Sequence, residues 1–254
     1  MKTRVLVGIS IAAVAWVCLL PVLAGAPVKI SEVAPAEDIA AEAKAKIDLL
    51  GSYVENEERY QEAKQDNAIP QAAGVLACLA QAIAEHDKKS DSKVAAADLR
   101  DAAIEIRDSE SLADAKKALS KVKEAWAGKS SGESKVEHDW SKLIDIDLTM
   151  EEVKARNNKI RRLVRRSKDP QADSLHATTL AVLALTIYAS SHDVKKVKTK
   201  DDIEKWKGYA TEYQKRMTAL AAAFKKKDAV EAKKLWLKGA EACNACHKNF
   251  QENE

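Results

Sequence analysis

The sequence predicts an all-α protein, and three observations carry that prediction. Ala, Lys, Glu and Leu dominate the 254 residues, while aromatics make up 5% and there are only eight Gly and five Pro. Good helix formers are thus plentiful and breakers scarce. Apolar residues recur at three- and four-residue steps through most of the chain, the period of a helix face. No stretch reads as a credible strand.

Residues 1–26 read as an export signal. Lys2 and Arg4 form a positive start, Val5 to Leu20 is apolar, and Ala24-Gly25-Ala26 offers small residues for cleavage. Pro27 disfavours a cut after Ala26, so a cut after Ala24 is the alternative; retention as a membrane anchor is a third. Cys18 follows Val17, which does not suit lipoprotein processing, so it leaves with the signal. The expectation is an exported, periplasmic protein. Three cysteines remain, Cys78, Cys243 and Cys246, an awkward number for disulfides in an oxidising compartment. Cys78 lies in the apolar run Ala72 to Ala84 and is expected to be a buried, inert thiol.

A first helical set begins at Pro35. Ile39, Ala43, Ile47, Leu50 and Val54 share one face, Gly51-Ser52 offers a break, and the pattern runs to Lys64, stopping before Pro70. Gln71 to His86 is almost wholly apolar, the mark of a buried helix. Val94 to Arg107 is amphipathic. Asp108 to Ser111 supplies N-cap chemistry for Leu112 to Trp126. Gly128 to Glu137 is rich in Gly, Ser, Lys and Glu and reads as a linker, with Trp140 to Asp147 as its tail.

A second set follows. Thr149 is the expected N-cap of a helix to about Lys168, with Glu151 and Glu152 placed for the helix dipole. Gln171 to Ser191 is long and apolar, and His192 to Lys200 is a basic loop. Asp201 to Lys227 carries Ile203, Trp206, Tyr209, Tyr213, Met217, Leu220 and Phe224 at helical spacing, and Asp228 caps the last helix. The domain organisation is therefore 1–26 signal, 27–128 acidic helical domain, 129–147 linker and 148–254 basic helical domain.

The two sets read as a degenerate internal repeat. Pro70-Gln71-Ala72 matches Pro170-Gln171-Ala172, and Ala115-Lys116-Lys117-Ala118-Leu119 resembles Ala232-Lys233-Lys234-Leu235-Trp236. That register sets Trp126 against Cys243 and Ser130 against His247. The first half is then either a duplicate without the cysteine motif or an unrelated helical domain. Residues 27–145 hold 17 Lys+Arg and 24 Asp+Glu, net −7; residues 146–254 hold 23 and 15, net +8. Opposite charge would let the halves dock, or let the basic half steer an acidic partner. Arg161 to Arg166 is the densest basic run, either a solvated helix face or a docking site. Nucleic acid is not an expected partner of an exported chain with so small a total charge.

The motif that carries chemistry is Cys243-Asn244-Ala245-Cys246-His247. Two thiols three residues apart add to the two vinyl groups of one porphyrin, and the adjacent histidine reaches the iron as proximal ligand. A Cys243–Cys246 disulfide or a partial zinc site would use the same residues, but zinc wants four ligands and no second Cys/His pair exists. One covalent haem c, with His247 as metal ligand, is the reading adopted.

Residues from about 148 to 251 resemble the class II cytochromes c, the cytochrome c prime and cytochrome c556 family. The motif ends the last of four helices, Phe250 follows it where the family has an aromatic, and Val153 to Ile160 is similar to the family's first-helix pattern. The resemblance implies an antiparallel four-helix bundle with haem near one end. It implies Arg156 beside a haem propionate and Ile160 over the open iron face. Isoleucine cannot ligate iron, so it implies five-coordinate haem that binds small gases such as NO or CO. The alternative is a six-coordinate, low-spin electron carrier with Met150 as sixth ligand; Met217 and His176 are weaker candidates, better explained as core. Gln251 departs from the basic residue usual at that place in the family. Partners are a redox protein or a small gas, and a homodimer is allowed for. No catalytic residues are recognisable by spacing, so an enzyme is not expected.

Overall fold

The computed structural model describes residues 25–88 and 93–251, and among them every regular element is helical. Residues 1–24 of the expected 1–26 signal lie outside this range. The helices are α1 (Ile30–Val33), α2 (Ala36–Tyr53), α3 (Glu57–Gln65), α4 (Ala68–Ala84), α5 (Ala96–Arg107), α6 (Leu112–Trp126), α7 (Ile146–Leu163), α8 (Pro170–Ala189), α9 (Lys200–Lys225) and α10 (Ala229–Phe250). Short 3₁₀ turns occur at Trp140–Lys142 and Ser190–Asp193.

Side-chain caps start several of them. Asn56, Ser111, Asp169 and Asp228 each accept from the amide three residues on, and Thr199 with Asp202 forms a reciprocal capping box. Pro70 falls in the first turn of α4, where its missing N–H costs nothing, so α4 begins before it rather than after. Three boundaries differ from expectation. The α2/α3 break comes at Val54 to Asn56, where Asn56 caps a new helix, and Gly51 stays helical. Thr149 is not an N-cap: α7 already begins at Ile146 with Asp145 at that place, and the buried Thr149 hydroxyl donates to the Asp145 carbonyl at 2.9 Å. Finally α7 stops at Leu163, not Lys168, with Val164 as its C-cap.

In each half the helices pack in chain order: α2 on α4, α4 on α5, α5 on α6, then α7 on α8, α8 on α9, α9 on α10. The most enclosed elements are α4 and α8. Residues 72–80 of α4 and 177–187 of α8 are buried without interruption, as expected of helices apolar on every side. For α8 this apolarity would suit a membrane span by length and composition, but most of it lies inside the fold.

The expected linker is fastened to the first half. Gln81 on α4 and the fully buried Arg100 on α5 both donate to the Val136 carbonyl. Trp140 donates its indole N–H to Glu85, and Arg107 donates to the Leu143 carbonyl at 2.9 Å. Ile144 sits against Gly74 so closely that a Cβ there would lie 2.6 Å from its Cγ1.

The halves meet across α2, α4, α7 and α8. Arg156 on α7 donates to Glu42 on α2 (2.7 Å), and Lys46 on α2 donates to Glu152 on α7 (2.9 Å). Asp38 accepts from Lys225 at 2.7 Å, and Glu42 from Thr179 at 2.7 Å. Two of these ion pairs follow the charge asymmetry read from the sequence, and Lys46 with Glu152 runs the opposite way.

Candidate functional site

The last two turns of α10 place Cys243, Cys246 and His247 along one side of a helix. The Asp228 cap fixes where α10 begins, accepting the Glu231 amide at 2.9 Å. Phe250 fixes where it ends: buried, it meets Trp206 edge-on with centroids 5.7 Å apart and Tyr209 at 6.4 Å. Trp206 is held in turn by its indole N–H to the Ile187 carbonyl at 2.5 Å. One turn before Cys243, Gly239 lets α9 and α10 approach closely; a Cβ there would lie 2.5 Å from the Met217 methyl.

The three motif residues open into a cleft of about 530 Å³ formed by α7, the end of α8, α9 and α10. Val153, Ile187, Tyr209, Ala210, Tyr213 and Ala242 give it apolar walls, with Met150, Lys154 and Asn157 on the α7 side. Volume and lining are those of a small-molecule or cofactor site. Met150, Val153, Lys154 and Asn157 follow the three- and four-residue steps of one helix stripe, so a single face of α7 looks across at the motif. Asn157 donates to the buried Tyr213 hydroxyl at 3.0 Å, tying α7 to α9 at the cleft wall.

Both motif thiols are free. Burial, with Cys246 adding to it, pushes the Cys243 thiol up to about 12, and burial pushes Cys246 up to about 11. Burial thus favours the protonated thiol at both positions. Among the described residues no three His, Cys, Asp or Glu side chains converge as for a metal ion, so the set lacks the geometry of a zinc centre. Cys78 is fully buried, 3.3 Å from the Thr186 hydroxyl, and burial raises its thiol to about 12, as expected of an inert core cysteine.

Arg156 and Ile160 are not brought to this cleft. The Arg156 guanidinium turns to the other half, held by Glu42, by Glu152 at 2.8 Å and by the His176 ring at 3.2 Å. Ile160 is fully buried, as are the Met217 and Ala177 side chains. Glu152 and Arg156 share a stripe turned toward α2, while Ile160 continues the Val153–Asn157 stripe about one turn further along α7, beyond the residues that line the cleft. Met150, offered by the sequence as an alternative ligand, does line the cleft. Lys154, Asn157 and Tyr213 were not singled out as site residues; their signal was the stripe from Met150 to Asn157, legible once one member is known to face the motif.

A second depression at the other end of α7, between residues 163–170 and 224–229, carries Arg165, Arg166, Lys168 and Lys227. It holds the basic run seen in the sequence and none of the motif. Comparison with protein-family models, curated proteins and solved structures gave no match.

Proposed function

We propose that the chain is an exported c-type cytochrome in which α7 to α10 form a four-helix bundle around one covalent haem, and that it carries electrons. Cys243 and Cys246 would anchor the porphyrin through thioethers, and His247 would be the proximal iron ligand. The residues fit the group: two neutral thiols and an imidazole open together on an apolar cleft large enough for a cofactor. When bound, haem supplies a one-electron iron couple near the protein surface. The chain's own part is to hold it rigidly. Phe250 with Trp206 and Tyr209 fixes the helix that bears the anchors, and Asn157 with Tyr213 fixes the opposite wall.

The observation that supports electron transfer is Met150, which lines the same cleft as Cys243, Cys246 and His247, whereas Ile160, expected to leave the iron face open, is buried beyond that lining. Met150 would be the residue available to hold the iron together with His247, a ligand pair that would suit electron transfer. The second reading, a five-coordinate haem for NO or CO, rests on Val153 as the aliphatic residue of the same stripe. An absorption spectrum of the exported protein separates them: low-spin bands indifferent to CO support the electron carrier, and Met150→Ala should then convert them to high-spin bands that respond to CO. High-spin, CO-responsive bands in the unaltered protein would favour the gas-binding reading instead. Of the two cleavage sites, a cut after Ala24 would keep the hydrogen bond from the Ala26 amide to Glu85 at 2.8 Å, and a cut after Ala26 would remove it.

A further inference from the structure

The first half lacks the motif, yet it is built into the second half by an interface with a particular symmetry. Both α2 and α7 are 18 residues long. In each, an acid stands at the seventh position and a base at the eleventh: Glu42 and Lys46 on α2, Glu152 and Arg156 on α7. The pairing is crossed. Glu42 meets Arg156 at 2.7 Å, and Lys46 meets Glu152 at 2.9 Å. A contact between position seven of one helix and eleven of the other, recurring with the helices exchanged, is what a twofold axis between equivalent helices requires. The second helices repeat the relation: α2 packs on α8, α4 on α7, and α4 on α8.

All four charged residues are at least nine-tenths buried, so these pairs lie within the interface and are not surface decoration. Other equivalences agree. Ser111 and Asp228 cap α6 and α10 in the same way, each accepting the amide three residues on. The last residue of α6 is Trp126, the residue aligned with Cys243, so the first half ends its final helix where the motif would begin.

We propose that the acidic half is a captive second copy, occupying on α7 and α8 the surface through which two C-terminal halves would otherwise pair. The α7 face is self-complementary: around a twofold axis, Glu152 of each copy would meet Arg156 of the other. On α2 the same acid-and-base spacing supplies that partner within the chain, and covalent linkage keeps its effective concentration far above that of another molecule. This assigns the first half the role of a built-in partner that keeps the protein monomeric with a single haem motif. The assignment holds whether or not the cleft binds haem.

Sedimentation of the full-length mature protein tests it. The unaltered protein should be monomeric across micromolar concentrations. Glu42→Arg with Lys46→Glu sets like charges against Arg156 and Glu152. It should release α2 and produce dimers through the freed α7 face, the dimer fraction rising with concentration. Adding Glu152→Arg and Arg156→Glu to the same chain restores complementary crossed pairs and should return a monomer that melts near the unaltered protein. A dimeric unaltered protein, a doubly altered chain that stays monomeric, or a fourfold variant that fails to regain the monomer would each overturn the proposal. Should the doubly altered chain not fold, the fourfold variant still decides, because only crossed charge complementarity distinguishes it.

Discussion

Arg156 shows how far a single residue's role depends on its surroundings. Neither its burial nor its partners were foreseeable, since Glu42 comes from the other half of the chain and the sequence suggests a propionate or solvent for its guanidinium. Burial opposes charge on Glu152, yet Lys46 and Arg156 together hold its carboxyl below the usual range. Removing one member of such a cluster strands the others. Arg156→Ala is therefore expected to lower stability by about 3–5 kcal/mol, measured by denaturant unfolding, while leaving covalent haem attachment intact. His176, beside Arg156, has a pKa lowered to about 4, first by burial and then by the Arg156 charge. Its neutral form is the one the fold accepts, so its contribution is present above the unfolded pKa near 6.5 and is lost as pH falls toward 4. The melting temperature should drop over that window, and His176→Gln should flatten the drop; an unchanged slope in the variant would contradict this. The spacing of Cys243, Cys246 and His247, by contrast, is a local feature that needs no knowledge of the fold to be read.

Among the elements, α6, α9 and α10 were readable to within a residue or two, because cap, apolar stripe and stop signal agree in each. Where signals were divided, the boundary moved: Gly51 did not break α2, and α7 ended at Leu163, within the arginine run. The rotation of α7 was the element-scale fact that sequence could not supply. Two stripes on it are both plausible cleft faces, and only packing against α2 and α9 decides that Met150 to Asn157 faces the motif. Close helix packing makes further predictions. At Gly74 an added methyl would strike Ile144 at 2.6–3.0 Å through three of its atoms. Gly74→Ala should cost about 1–3 kcal/mol, and Ile144→Ala in the same chain should recover part of it. At Gly239 the obstacle is only the Met217 methyl end, so Gly239→Ala should be milder.

At the scale of the molecule, the division of charge between the halves is legible in the sequence, but the crossed pairing that joins them is not. Buried pairs are weakly screened by salt. The halves should therefore stay docked at high ionic strength, with little change in proteolytic nicking of the exposed segment around residues 129–135; prompt release at about 1 M salt would show that the contact is a surface one. The all-helical architecture followed from composition and period alone, because helices are local. The cleft did not, because it is made by four helices distant in sequence, and its chemistry became visible only where the motif, the apolar walls and Met150 converged. That convergence rests on one claim, a single covalent haem on Cys243 and Cys246. The most direct measurement is the intact mass, under denaturing conditions, of the protein exported from a host able to mature c-type cytochromes. The expected mass is the mature polypeptide plus one haem, reverting to the bare polypeptide in the Cys243→Ala, Cys246→Ala variant; a bare polypeptide from the unaltered sequence would contradict the account.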